Sequence, residues 1–268
     1  MTTPQFISSR DNPQLRALRK LAGDNTGYRK SRQVWVEGEH LCSAALLRSV
    51  RPAVTVIAQS LWADGQSPWS GLAPNTLVLP DALFKTVSTL ESPGAVGFVL
   101  DLVAPSALDA GAPTVVLDRV QDAGNVGSIL RSAAAFGFTQ VIALRETAAL
   151  WSPKVLRAGM GAHFGLTLLE AVEVDALESL RVPLLVTSSH AGELIQAARL
   201  PFPCAWVLGH EGQGVSPALL ARAALQVRIG QPGGEESLNV AAAAAICLHA
   251  SSAGQALAST LGAAASRS

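Results

Sequence analysis

Between Thr114 and Ala250 the chain alternates short apolar runs with stretches of helical periodicity, and few folds accommodate that pattern. Strands are predicted at Thr114–Leu117, Gln140–Leu144, Pro183–Ser188, Cys204–Leu208 and Leu225–Ile229. Helices are predicted at Val126–Phe136, Lys154–Gly159, Pro217–Ala223 and Leu238–Ala250. Unbroken apolar strands joined through helices build a mostly parallel sheet with helices over both faces. Ligands of such open sheets bind beyond the carboxyl ends of the strands. The loops after Leu117, Leu208 and Ile229 are therefore where function is sought.

The first half reads as a smaller α/β unit. Helix Asn12–Leu21, capped by Asn12 with Pro13 in its first turn, precedes strand Gln33–Glu37 and helix Leu41–Val50. Strand Ala53–Ala58, a surface loop over Asp64–Asn75, and strands Thr76–Leu79 and Ala95–Leu100 follow. The prolines, glycine and alanines of Ala104–Pro113 mark a linker. The expected organisation is one domain over residues 1–103, a linker over 104–112, a second domain over 113–258 and a disordered tail over 259–268. At 268 residues and 49% hydrophobic, the chain can fill two cores. No apolar run reaches the roughly 18 residues of a membrane span, and Met1–Arg10 lacks the apolar segment of a secretory signal. Cys42, Cys204 and Cys247 are few, odd in number and scattered, which fits a reducing cytoplasm. The Cys247/His249 pair reads as core packing, so no metal is expected.

The formal net charge is zero, yet it is unevenly spread. Residues 1–32 hold seven basic residues against Asp11 and Asp24, a net +5. The remaining 236 residues, with 13 basic and 18 acidic, carry −5. A basic segment on a mildly acidic body points to a local polyanion contact; the alternative is a solvated helix face.

The first loop and its helix, residues 117–137, place Val126, Ile129, Leu130, Ala133, Ala134 and Gly137 on one stripe. Arg131 lies off that stripe, among Gly127, Ser128 and Ala135, where an anion can approach. Asn125 stands where a helix N-cap belongs, at the end that favours anions. By itself the segment is equally a capped surface helix with a solvated arginine.

The second loop is Gly209-His210-Glu211-Gly212-Gln213-Gly214. Its glycine order is not the dinucleotide fingerprint, and it lacks both the Walker lysine and the serine of a nucleophile elbow. A nicotinamide-dependent oxidoreductase is thereby disfavoured, and a tight turn explains the loop on its own. The third loop runs from Gly230 to Asn239 into an alanine-rich helix that Ser237 can cap. Asn239 in the first turn of an otherwise apolar helix is harder to explain as packing.

Taken together, Asp118 through Arg131, Gly209–Gly214 and Ile229–Val240 resemble the three motifs of the SpoU (TrmH) family of RNA ribose methyltransferases, within the SPOUT superfamily. Ser8-Ser9-Arg10-Asp11-Asn12-Pro13 and Val36-Glu37-Gly38 also resemble that family's substrate-binding domain. Four positions depart from the family pattern: Ala123 and Gly230 stand where proline is frequent, and Ala241 and Gly159 where serine is. None removes a residue assigned to chemistry, though Gly230 bears on the shape of the cofactor loop.

The resemblance implies an α/β fold with a trefoil knot in the C-terminal half, a homodimer, and transfer of a methyl group from S-adenosyl-L-methionine to a ribose 2′-hydroxyl of RNA. Ribosomal RNA is the expected substrate; transfer RNA, or a non-catalytic role in ribosome assembly, is the alternative. It also implies a catalytic set of Asn125, Arg131, Glu211, Ser237 and Asn239, with Asn125 holding the Arg131 side chain or the ribose. The implied cofactor contacts are Thr187, Gly209, Ile229 and Leu238. Arg10, Asn12, Lys20, Arg29 and Arg32 are the expected RNA contacts. A guanidinium is always protonated, so Arg131 is read as an electrostatic clamp rather than a base.

Overall fold

The computed structural model describes residues 3–63, 66–103, 107–188, 191–233 and 237–265, from 254 onward by backbone alone. The chain divides into two compact units, Met1–Ala104 with Trp151–Phe164, and Pro105–Leu150 with Gly165–Ser268.

The first unit contains β1 (Gln5–Phe6), α1 (Pro13–Gly23), α2 (Tyr28–Ser31), β2 (Gln33–Glu37), α3 (Glu39–Leu47), β3 (Val54–Ala58), α4 (Gln59–Trp62), β4 (Asn75–Leu79), α5 (Asp81–Phe84) and β5 (Val96–Asp101). Its sheet has the order β1-β4-β3-β5-β2, with β5 antiparallel to both neighbours. Leu15, Leu18 and Ala22 of α1 pack on one face against Trp35, Val56, Leu77, Leu79 and Val99. Asn12 caps α1, its Oδ1 accepting from the Gln14 and Leu15 amides.

The second unit contains β6 (Thr114–Asp118), α6 (Ala123–Ala135), β7 (Gln140–Leu144), β8 (Thr167–Val172), β9 (Leu184–Thr187), β10 (Glu193–Leu194), β11 (Ala205–Gly209), α8 (Pro217–Leu220), β12 (Leu225–Arg228) and α9 (Val240–Ala265), while α7 (Pro153–Gly159) belongs to the first. All strand pairings are parallel, in the order β10-β12-β9-β11-β6-β7-β8. Side chains alternate across the sheet, so both faces need cover. Val116, Ile142, Val186 and Val207 face Leu177 and Leu219 on one side. On the other, fully buried Trp206 donates its indole Nε1–H to Ser251 Oγ of α9 at 2.9 Å.

Several expectations change. Residues 151–164 group with the first unit, because Arg157 Nη1 donates to the Thr89 carbonyl and hydroxyl, each at 3.0 Å. The expected linker is not free over its second half. Gln140, 1% exposed, donates Nε2–H to the Asp109 carbonyl and accepts from its amide. The Ala110 carbonyl accepts from Arg181. Residues 104–106 of that linker lie outside the described residues. α9 continues to Ala265, where a disordered tail was expected from 259, since its alanine-rich sequence favours helix and contains no proline. Residues 266–268 of the expected tail are outside the described residues. Strand β8, absent from the sequence reading, carries half-buried residues and a left-handed Ala171, which erase the apolar run that marks the other strands.

Removing the Ser251 hydroxyl leaves the Trp206 N–H buried without a partner. Ser251→Ala is expected to lower unfolding stability by about 1–3 kcal/mol in urea titration.

Candidate active site

Strands β6, β11, β9 and β12 are adjacent and parallel, so their carboxyl ends lie on one edge. In register, Asp118 faces Gly209 and Val227 faces Thr187. The three loops singled out in the sequence leave from this edge.

Asp118, only 3% exposed, anchors the first loop to the second. Its Oδ2 accepts from the Ser216 amide at 2.6 Å, and its Oδ1 from Arg119 Nε at 3.0 Å. Arg119 in turn donates to Gln213 Oε1 at 2.9 Å. The second loop closes on itself: His210 and Gly214 exchange backbone hydrogen bonds of 3.1 and 2.8 Å, and His210 Nδ1 accepts from the Gly212 and Gln213 amides. A Cβ on Gly209 would lie 2.2 Å from the Gly214 backbone, a contact no side chain tolerates, so only glycine fits there.

A chain of hydrogen bonds joins all three loops. Glu211 Oε1 accepts from the Asp122 amide and from Asn125 Nδ2, each at 3.1 Å, and its Oε2 accepts from the Gln121 amide at 3.3 Å. Asn125 Oδ1 accepts from Asn239 Nδ2 at 2.9 Å. Asn239 Oδ1 accepts from the Ala241 and Ala242 amides at 2.9 and 3.3 Å. Every amide orientation in this chain follows from its ends, since a carboxylate only accepts and backbone N–H groups only donate.

The two helix caps differ from the expectation. Asp122, not Asn125, caps α6 through a 2.8 Å bond to the Asn125 amide. Asn239, not Ser237, caps α9. In both cases the helix begins at a different residue from the one the apolar periodicity implied, and the side chain at the true boundary takes the exposed amides. Gly137 is not on the buried stripe of α6. It lies beyond the helix at φ +79°, with the Phe138 amide reaching back to the Ala133 carbonyl, the geometry of a Schellman termination.

Glu211 is exposed, and the partial desolvation of its carboxyl opposes ionisation, but the Asn125 amide and the loop N–H groups outweigh this and hold it below the ordinary carboxylate range. Arg131 is exposed on α6 and has no hydrogen-bond or ion-pair partner among the described residues. Asn125 does not hold Arg131; its bonds go to Glu211 and Asn239. Ser237 and Leu238 are exposed just before α9. Ile229 and Thr187 are half-buried at the ends of neighbouring strands.

Sequence reasoning passed over Gln231. Its Oε1 is buried within the third loop and has no partner among the described residues. A buried acceptor without a donor is costly unless a ligand supplies one, and an adenine amino group is such a donor. Together with the glycine-only turn at Gly209, this fits a nucleoside-bearing cofactor at the strand ends.

The expected RNA contacts are all in the first unit and are differently engaged. Arg10 and Lys20 are exposed. The Asn12 side chain is occupied as a cap, and Arg32 Nη2 donates to the Leu102 carbonyl at 2.9 Å. The Arg29 guanidinium lies 5.8 Å from the centre of the Tyr28 ring. Arg19, not among the expected contacts, is structural, bonded to Thr86 Oγ1 and the Arg10 carbonyl.

Fold and site define an α/β protein whose second unit is a parallel sheet, with three strand-end loops tied together through the Asn125 side chain. Comparison with known proteins identifies the group: residues 112–249 match the SpoU rRNA Methylase family, and the chain belongs to that family. It is similar, at 30% identity over 225 residues, to the Bacillus subtilis 23S rRNA (guanosine(2553)-2′-O)-methyltransferase RlmP, covering 82% of this chain and 88% of that one. A TrmH-family protein from Porphyromonas gingivalis superposes with a TM-score of 0.78 at 32% identity, over 91% of this chain and 98% of that chain. An AdoMet-bound rRNA methyltransferase from Sinorhizobium meliloti gives 0.78 at 25% identity, over 92% and 97%.

A group with a depressed folded-state pKa stabilises the fold fully above its unfolded value, about 4.3 for glutamate, and loses that contribution as pH falls through the folded value. The stability difference between wild type and Glu211→Gln is therefore expected to be constant above about pH 5 and to shrink as the pH drops below about 4. Chemical denaturation at a series of pH values reads it directly; a difference that grows toward acid would contradict the assignment.

Proposed function

We propose that this protein transfers the methyl group of S-adenosyl-L-methionine to a ribose 2′-hydroxyl of ribosomal RNA. The observation that carries the reading is the Glu211–Asn125–Asn239 chain, which fixes three loops around one edge of a parallel sheet, with Arg131, unpaired among the described residues, on the adjoining helix. The match to the SpoU family and the 23S rRNA name of the Bacillus subtilis relative support the reaction and the substrate class.

When bound, S-adenosyl-L-methionine supplies an electrophilic methyl on a sulfonium. Gly209, Ile229, Leu238 and Thr187 would line its site, and Gln231 Oε1 would accept from its adenine. The remaining chemistry belongs to this chain. A ribose hydroxyl is a weak nucleophile, so the enzyme must orient it and stabilise charge developing on its oxygen. Arg131 takes that second task as a permanent cation, clamping the neighbouring phosphate and the forming alkoxide. Ser237, whose hydroxyl is exposed, and the second N–H of Asn239 orient the ribose. Asn125 and Glu211 position rather than react: Glu211 holds the Gln121–Asp122 backbone, and Asn125 sets the orientation of Asn239.

The first unit, with its basic α1–α2 segment, is the RNA-binding part, through Arg10, Lys20, Arg29 and Arg32 in particular. The C-terminal unit is knotted in the manner of its superfamily, and the protein works as a cytoplasmic homodimer. Exposed Leu238 and Ile246, both at 39%, support an apolar subunit contact near the site.

Arg131→Ala is expected to lower kcat on the order of a hundredfold or more, about 3 kcal/mol, while the methyl donor binds with near-wild-type affinity. Transfer of labelled methyl to ribosomal RNA and calorimetry of donor binding measure the two. Turnover close to wild type would refute the clamp, and failure of the wild-type protein to bind the donor would favour the non-catalytic alternative. Ile246→Glu is expected to convert a dimer into a monomer by light scattering; an unchanged mass would remove α9 from the interface.

A further inference from the structure

The first unit contains a cavity of about 750 Å³ between α1, the α1–α2 turn and the end of the sheet where β3 and β4 begin. This volume lies in the range of about 300–1,000 Å³ typical of small-ligand sites. Its floor is apolar, formed by Leu18, Leu77 and Val99 of the core, with Leu21 and Val54 beside them. Around that floor stand the carboxamides of Gln5, Gln14, Gln33 and Asn75 and the hydroxyls of Thr3, Ser31 and Thr76; Gln33 Nε2 already donates to Asp101 Oδ1 at 2.9 Å, which leaves Gln5, Gln14 and Asn75 to meet a ligand. Lys20 and Lys30 line it as well, both exposed, and neither has an ion-pair partner within 4 Å among the described residues. The Asp24 carboxylate, which also lines the cavity, is already engaged, its Oδ1 accepting from the Thr26 and Gly27 amides.

This combination specifies its occupant. An apolar floor accepts a flat heterocycle, carboxamides donate and accept at once as a base edge requires, and ammonium groups meet phosphate. The net charge of +5 over residues 1–32 favours a polyanion over a neutral metabolite. Single-stranded RNA is recognised by splaying bases out of the stack into such pockets. Among the described residues the cavity is lined by no aromatic side chain, so the base is read by hydrogen bonds between aliphatic walls rather than by ring stacking.

We propose that this cavity holds one splayed-out nucleotide of the RNA substrate, its base against Leu18, Leu77 and Val99 and its phosphate between Lys20 and Lys30. It is a second contact point for the RNA, built within the first unit and separate from the residues that transfer the methyl group. The inference rests on the RNA substrate proposed above.

The test uses the full chain with S-adenosylhomocysteine present, so that nucleotides cannot report on the donor site. The 5′-monophosphates of the four ribonucleosides are titrated by calorimetry. One of them is expected to bind saturably and to lose affinity about tenfold in Ala17→Trp, which fills the cavity from an exposed position of α1. Lys20→Gln/Lys30→Gln should weaken the monophosphate but not the matching nucleoside. With ribosomal RNA as substrate, Ala17→Trp should raise KM about tenfold with kcat and donor affinity unchanged. Thermal midpoints show whether each variant is folded, and the lysine pair keeps the test decisive should Ala17→Trp not fold. Absence of saturable nucleotide binding, binding insensitive to both variants, or a free nucleotide that binds while the KM for RNA stays constant would each overturn the proposal. Loss of methyl transfer in the wild type would instead overturn the proposed reaction, so the two failures are distinguishable.

Discussion

One carboxamide holds the strand-end loops of the second unit together. Asn125 donates to a carboxylate on the second loop and accepts from an amide on the third, so a single side chain of α6 fixes both of the loops that face it. Each of those partners is itself committed: Glu211 to two backbone amides, Asn239 to the first turn of α9. The chain of bonds has only one consistent polarity, from the carboxylate through two amides to the positive end of a helix. Such a network specifies one loop arrangement, whereas glycine-rich segments of this kind would otherwise sample many.

That network can form because of the sheet beneath it. Pairing β11 with β6 in register sets Gly209 opposite Asp118, and the Asp118 carboxylate then reaches the Ser216 amide beyond the turn. The turn is closed so tightly that Gly209 has no space for a Cβ, which brings Glu211 back over the first loop. A shift of one residue in strand pairing would move Asp118 to the other face of the sheet and detach the second loop.

The strands of the second unit were legible in the sequence because a parallel sheet buried on both faces demands unbroken apolar runs such as Val115-Val116-Leu117 and Val141-Ile142-Ala143. Asn125, Glu211 and Asn239 were legible only as polar residues out of place. Nothing in their spacing, across separations of 86 and 114 residues, foretold that they bond to each other. The caps were misplaced for a related reason: Asp122 and Asn125, or Ser237 and Asn239, are equally competent capping residues, and only the backbone decides between them. The return of residues 151–164 to the first unit left no mark either, because α7 resembles any short capped helix until its arginine meets Thr89. The cavity in the first unit draws on seven elements, from β1 to β5 with α1 and α2, so no sequence window contains it.

The hydrogen-bond pattern also bears on how Arg131 acts. Arg131 stands exposed beside Gly127 and Ser128 with no hydrogen-bond or ion-pair partner among the described residues, while the Asn125 and Asn239 amides and the Glu211 carboxylate are tied to one another. A cation left uncommitted among the described residues, on a face without bulk, is suited to meet a phosphate, and forming that pair breaks none of their bonds. The Glu211–Asn125–Asn239 chain thus contributes to the proposed reaction by what it withholds: it keeps the Glu211 carboxylate on the Gln121–Asp122 backbone and on Asn125, while Arg131 is left to meet the substrate.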